Sequence, residues 1–126
     1  MLLDSDALLW WLQDDARLPA SAGALIDDPS VRVHVSAASL WELVARSAAG
    51  RLRIDDGPSA LLVDALDDAG FRVLPIERRH VLAMSELSAF HAAPFDLMLV
   101  AQAIVEGFEL VTGNRELGRY PVRTVW

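Results

Sequence analysis

Acidic residues recur in this chain where apolar segments begin or end. Asp4 and Asp6 follow the opening apolar run Met1-Leu-Leu, Asp96 precedes the stretch from Leu97 to Val105, and Glu42 stands beside the stripe Leu40, Leu43, Val44. Carboxylates converging at about 4 Å repel one another by several kcal/mol at intermediate dielectric, so a cluster of them persists around cations. The chain has no cysteine, and His34, His80 and His91 show no metal-ligand spacing. Oxygen donors alone favour Mg²⁺ or Mn²⁺ over zinc. The histidines therefore read as structural or solvated groups.

Each acid also has a plainer role available. Asp96 lies two residues after Pro94 and could merely complement a helix dipole. The helix it opens is apolar nearly all round, however, which implies burial, and a buried carboxylate needs hydrogen bonds, a helix N-terminus or a cation. Glu42 alone reads as a solvated helix acid. Asp4 could serve as an N-cap, although Ser5 or Asp6 could supply that cap instead. Taken together, Asp4, Glu42 and Asp96 make a metal-holding triad, with Asp6 as a supporting ligand or water-orienting group. Ser5, Ser36, Thr112 and Asn114 are polar residues at expected strand ends and helix starts that could support them. Arg46, four residues after Glu42 and on the same helix face, is the best-placed arginine to contact a bound phosphate. Trp10 and Trp11 are adjacent on a short helix and cannot point the same way, so one is expected in the core and the other toward a partner.

The elements that must position these residues alternate. Strands are expected at Met1–Asp4, Val31–Val35, Phe71–Leu74, Gly107–Thr112 and Val122–Trp126. Helices are expected from Ala7 to Leu12, Ala20 to Ile26, Ala37 to Ala49 behind a Ser36 cap, Gly57-Pro58 to Asp68, Glu77 to Leu87 and Pro94 to Glu106. This order predicts an α/β fold, a central parallel sheet with helices on both faces. In such sheets ligands bind beyond the carboxyl ends of the strands, where the acids fall.

At 126 residues, 53% of them apolar, the chain is expected to form a single domain over residues 1–126 without disulfides or a structural metal. No apolar run reaches the roughly 18 residues of a membrane helix, and the opening lacks the basic start of a signal peptide, which makes a cytoplasmic protein the expectation. Eighteen acids against eleven basic residues give a net charge of −7, which disfavours non-specific binding to a nucleic-acid backbone. Every basic residue is arginine. Without lysine, P-loop nucleotide chemistry and Schiff bases are excluded.

Several segments, in order along the chain, resemble ribonuclease toxins of the PIN-domain VapC type. They are Leu2-Leu-Asp4-Ser-Asp-Ala-Leu-Leu-Trp-Trp, Val35-Ser-Ala-Ala-Ser-Leu-Trp-Glu42-Leu, Gly50-Arg-Leu, Pro94-Phe-Asp96 and Leu110-Val-Thr112. The resemblance implies a PIN-like three-layer sandwich, Mg²⁺-dependent RNA cleavage with Mn²⁺ able to substitute, and homodimers. It also implies inhibition by a VapB-type antitoxin in a toxin–antitoxin hetero-oligomer, and it maps the metal-binding acids to Asp4, Glu42 and Asp96. The chain departs from the usual pattern at Ala92, Ala93 and Leu97, where the family commonly has arginine, aspartate and arginine. It departs again at Asn114, often a fourth acid, and at Asp6, often histidine or asparagine.

The leading expectation is thus an endoribonuclease toxin in which a divalent ion activates water at a backbone phosphorus. Two alternatives stand beside it. Asp4-Ser-Asp6 matches the opening motif of haloacid-dehalogenase-like phosphatases, and the missing acid and arginines would suit a PIN scaffold that binds without cutting. An antitoxin is expected to lie in an apolar groove near Trp10 or Trp11 and to place an arginine over the acids.

Overall fold

The computed structural model describes residues 1–53, 57, 64–87 and 93–126. Five short strands form one sheet: β1 (Leu2–Leu3), β2 (His34–Ser36), β3 (Arg72–Leu74), β4 (Leu110–Val111) and β5 (Thr124–Val125), in the order β3-β2-β1-β4-β5. Every neighbouring pair is parallel. Leu2 and Leu3 stand in register with His34 and Val35 on one side and with Leu110 and Val111 on the other. Among the described residues the α-helices are α1 (Ser5–Leu12), α2 (Ala20–Ile26), α3 (Ala37–Ala48), α4 (Ala65–Asp68), α5 (Arg78–Glu86) and α6 (Pro94–Glu106).

The period-2 geometry of a strand sends successive side chains to opposite faces, and β1 and β4 show it within two residues each. Leu3 and Val111 enter one core with Ala7, Leu8, Ala22, Ile26, Val35, Leu43 and Leu66, which come from α1 to α4 and β2. Leu2 and Leu110 enter the other with Leu99, Val100 and Ala103 of α6 and with Leu117 and Tyr120. Helices therefore cover both faces of a parallel sheet, the expected three-layer arrangement. Burying each such leucine contributes about 1.5–3 kcal/mol.

Strand limits are where sequence and structure differ. Instead of starting at Val31, β2 starts at His34. The Asp28 carboxylate accepts from both the backbone N–H and the hydroxyl of Ser30 (2.8 and 2.7 Å), and Val31 N–H reaches the Asp28 carbonyl, so the chain is still turning there. The strand expected from Gly107 begins at Leu110 because the end of α6 uses the intervening residues. Gly107 adopts φ 68°, and Phe108 N–H returns 2.8 Å to the Ala103 carbonyl. The expected helix start at Gly57-Pro58 lies mostly outside the described residues, as do His91 and Ala92.

The two described histidines are structural. His80 is fully buried at N3 of α5; its Nδ1 accepts the Glu77 backbone N–H at 3.0 Å, which leaves Nε2 to donate to Glu106 of α6 at 2.8 Å. His34 stacks on Phe108 with ring centroids 4.4 Å apart.

Candidate functional site

The sheet order places the chain reversal beside β1, whose neighbours β2 and β4 are reached in opposite directions. Ligand clefts form at such a switch point. Here a cleft of about 610 Å³ is lined by Asp4, Ser5, Asp6, Glu42, Asp96 and Asn114, together with Trp10, Arg17, Gly113 and Trp126. Four acids separated by up to ninety-two positions in the chain thus face one space. Ser36 and Thr112 are absent from that lining, and Arg46 borders it through Asp6.

Asp4 follows β1 directly and is itself the N-cap of α1. Its carboxylate accepts the Ala7 N–H at 2.6 Å, so the cap falls to Asp4 and not to Ser5 or Asp6. That placement also buries it. Burial pushes its pKa up from 3.8 to about 6; the neighbouring Asp6 and Asp96 charges add to the rise, while hydrogen bonds from Thr112 and the Ala7 N–H oppose it.

The other acids are each held by a donor within the chain. Ser5 Oγ donates to Glu42 Oε2 at 2.5 Å, which joins the first turn of α1 to α3. Asn114 Nδ2 donates to Asp96 Oδ2 at 3.3 Å across the gap between β4 and α6. Arg46, expected to meet RNA, instead donates to Asp6 Oδ1 at 2.8 Å. A phosphate contact from Arg46 would have to compete with this pair.

Two expected supporting residues do different work. Ser36 is fully buried, caps α3 through the Ala38 N–H at 2.9 Å, and donates to Gln102 Oε1. Gln102 in turn donates to the Pro75 carbonyl at 3.2 Å, tying α6 to the ends of β2 and β3. Thr112 bonds to the Asp4 carboxylate and accepts the Asn114 N–H at 3.0 Å. Sequence reasoning missed Gln102, Arg17, Gly113 and Trp126. A polar residue inside the apolar run Leu97–Val105 was a visible signal for Gln102; nothing in the sequence linked Trp126 to the acids.

The donor set fits a hard divalent cation in its chemistry, because the carboxyl at its centre carries a charge that burial and its neighbours disfavour. As placed, though, no three carboxylate or imidazole groups among the described residues stand close enough to hold one ion. The expected triad lines a common cleft without closing into a ligand set. Of the two tryptophans, Trp11 packs on Phe71 (4.8 Å between centroids) and donates to Asp27 at 2.9 Å, whereas Trp10 faces the acidic cleft. Neither is fully buried. No helix among the described residues is long and apolar enough to cross a membrane.

Solved structures share this fold. The chain is similar to VapBC2 from Rickettsia felis bound to a promoter DNA fragment, at 17% identity and TM-score 0.72 over 98% of this chain and 96% of that one. It is similar to DNA-bound VapBC from Salmonella typhimurium at 20% identity and TM-score 0.72, over 98% and 95% of the two chains. For VapBC-1 from nontypeable Haemophilus influenzae the values are 16% and 0.73, again over 98% and 95%. No curated protein matches by sequence. The phosphatase-like reading of Asp4-Ser-Asp6 gains nothing from these comparisons. The PIN domain profile matches residues 1–122, nearly the full length of a parallel sheet with acids at its switch point, and the chain belongs to the PIN domain family.

Proposed function

We propose that this protein is a metal-dependent endoribonuclease of the VapC type, a toxin neutralised by a VapB-type antitoxin. The observation that carries the reading is the convergence of Asp4, Asp6, Glu42 and Asp96 on one cleft at the carboxyl end of the sheet. The similar solved structures are of VapBC proteins, two of them bound to DNA, which supports an antitoxin partner.

In this reading Asp4, Glu42 and Asp96 hold Mg²⁺, or Mn²⁺ in its place, with Asp6 in support. The chemistry such an ion supplies when bound is charge neutralisation at a phosphodiester and acidification of an attacking water. The chain's own residues prepare the site. Ser5 and Asn114 orient Glu42 and Asp96, Thr112 and the α1 N-terminus steady Asp4, and Arg46 balances Asp6 until a phosphate competes for it. The antitoxin would lie along the groove between α1 and α2, where Trp10, Trp11 and Leu18 are rimmed by Asp14, Asp15 and Asp27. A basic amphipathic segment matches that surface.

The test is incubation of the protein with total RNA with and without Mg²⁺. Asp4→Asn, Glu42→Gln and Asp96→Asn are each expected to lower cleavage by at least about 100-fold, the scale of losing a group that acts at the reacting centre. Near-wild-type cleavage by any one of them removes that residue from the triad. A second reading, a PIN scaffold that binds without cutting, is favoured by the open ligand set and by the amide Asn114 in the cleft lining. Absence of cleavage at saturating Mg²⁺, with retained binding of RNA or antitoxin, would select it.

A further inference from the structure

The acidic cleft also has an aromatic wall. Trp10, Arg17 and Trp126 line the same space as the four acids. The Arg17 guanidinium carbon lies 4.9 Å from the centroid of the Trp10 ring, and the Trp10 and Trp126 rings are 5.7 Å apart with their planes at 59°. Arg17 is fixed in turn by Asp15, whose two carboxylate oxygens accept from Nε at 3.0 Å and from a terminal nitrogen at 2.6 Å. These contacts make a contiguous cation–ring–ring row, its two rings tilted to one another, that ends in Trp126, 38% exposed.

Gly113, which follows β4 and lies in the cleft lining, sets where Trp126 can sit. A Cβ at position 113 would stand 2.8 Å and 2.9 Å from Cζ2 and Cε2 of the Trp126 ring, closer than carbon atoms tolerate. The glycine therefore permits a close approach of ring to backbone next to Asn114, the residue that holds Asp96.

The charge balance asks for a ligand-binding term that is not ionic. The protein carries net charge −7, and Arg17, Arg46, Arg79, Arg119 and Arg123 are all engaged with acids of the chain. Attraction for phosphates is correspondingly small. Base stacking on aromatic rings or guanidinium planes does not depend on net charge, and it contributes about 1–3 kcal/mol per base without strong sequence preference. It is open only to bases not already stacked in a duplex.

We propose that Trp126, Trp10 and Arg17 form a nucleobase-stacking wall that seats an unpaired base of single-stranded RNA beside the carboxylates. The proposal rests on the nuclease reading of the same cleft and names the form of its substrate. Selection of single strands then comes from the wall, and the acids act on the adjoining phosphate.

The experiment is a binding titration with a short labelled single-stranded RNA, a duplex of equal length, and an oligomer with the same backbone but without bases, each in Mg²⁺ and in EDTA. Wild-type protein is expected to bind the base-bearing single strand about ten-fold or more tightly than either control, with quenching of tryptophan fluorescence. Trp126→Leu and Gly113→Ala are both expected to lose that margin, and Trp126→Phe to keep most of it, with thermal unfolding confirming that each variant is folded. Equal affinity for the baseless oligomer, or full affinity in folded Trp126→Leu, overturns the proposal. So does quenching by an arginine-rich amphipathic peptide but not by RNA, which would make the wall a protein-docking surface. Base-dependent binding without cleavage leaves the wall standing and removes the nuclease reading. Cleavage without base dependence removes the wall alone.

Discussion

At the scale of single residues, Asp4 shows how one side chain can serve the fold and burden it. Its carboxylate caps α1, yet burial and the neighbouring acids push its pKa to about 6 against 3.8 for an exposed aspartate. In the metal-free protein the folded state therefore binds the Asp4 proton more tightly than the unfolded state does. Stability from this group is full below about pH 4 and is lost as pH rises through about 6, a difference of about 3 kcal/mol. Asparagine keeps the capping oxygen and carries no charge. Asp4→Asn is thus expected to exceed wild type by about 2–3 kcal/mol in urea unfolding at about pH 7.5 in EDTA, and to match it near pH 4. An advantage of equal size at both pH values would show that the charge is not its source. The sequence displayed the acids and their spacing plainly. It did not display their donors, because Ser5 with Glu42, Arg46 with Asp6 and Asn114 with Asp96 are pairs made only by the fold.

At the scale of elements, the helices at Ala20–Ile26, Ala37–Ala48, Arg78–Glu86 and Pro94–Glu106 were legible to within a residue, and strands only in position. The helix signals are local: Pro94 at the first position of α6, Ser36 before α3, and Gly50 and Gly107 past helix ends, both at φ 68°. The strands are two or three residues long, and their limits depend on hydrogen bonds to distant partners and on competing turns such as the one around Asp28. Asp4 could be read both as the end of a strand and as an N-cap, and the structure makes it the cap of α1. The Ser36 hydroxyl, expected to support the acids, is spent on the α3 cap and on Gln102, and Ser36 is not among the residues lining the cleft. Ser36→Ala removes one cap and leaves a buried amide oxygen short of a partner. It is expected to cost about 1–3 kcal/mol of stability while leaving the Kd for Mn²⁺ and the KM for RNA unchanged. A Ser36→Ala protein of normal stability but weakened metal affinity would return Ser36 to the site.

At the scale of the whole molecule, the outer face opposite in character to the acidic cleft is apolar. A groove of about 420 Å³ runs between α3, α5 and α6, lined by Trp41, Ile76, Met84, Phe95 and Met98. Trp41 is 64% exposed and meets Phe95 edge to face at 5.1 Å, so two large rings stand together at the surface. Val81 and Leu82 of α5 are also exposed. Contiguous apolar surface of this kind is uncommon on a monomer and marks contact with another chain. Net charge −7 opposes self-association at long range, but among the described residues the groove is lined by apolar side chains alone. If the homodimer implied by the resemblance forms, this groove is a face on which two copies would lose apolar surface. Trp41→Glu places a charge at its centre, where a buried unpaired carboxylate costs several kcal/mol, and is expected to convert a dimer to a monomer in sedimentation or light scattering. The position is exposed in the single chain, so thermal unfolding at low protein concentration should change by no more than the lost Trp41–Phe95 ring contact, about 0.5–1.5 kcal/mol. A Trp41→Glu protein that sediments as the wild-type dimer would place the contact between copies on another face.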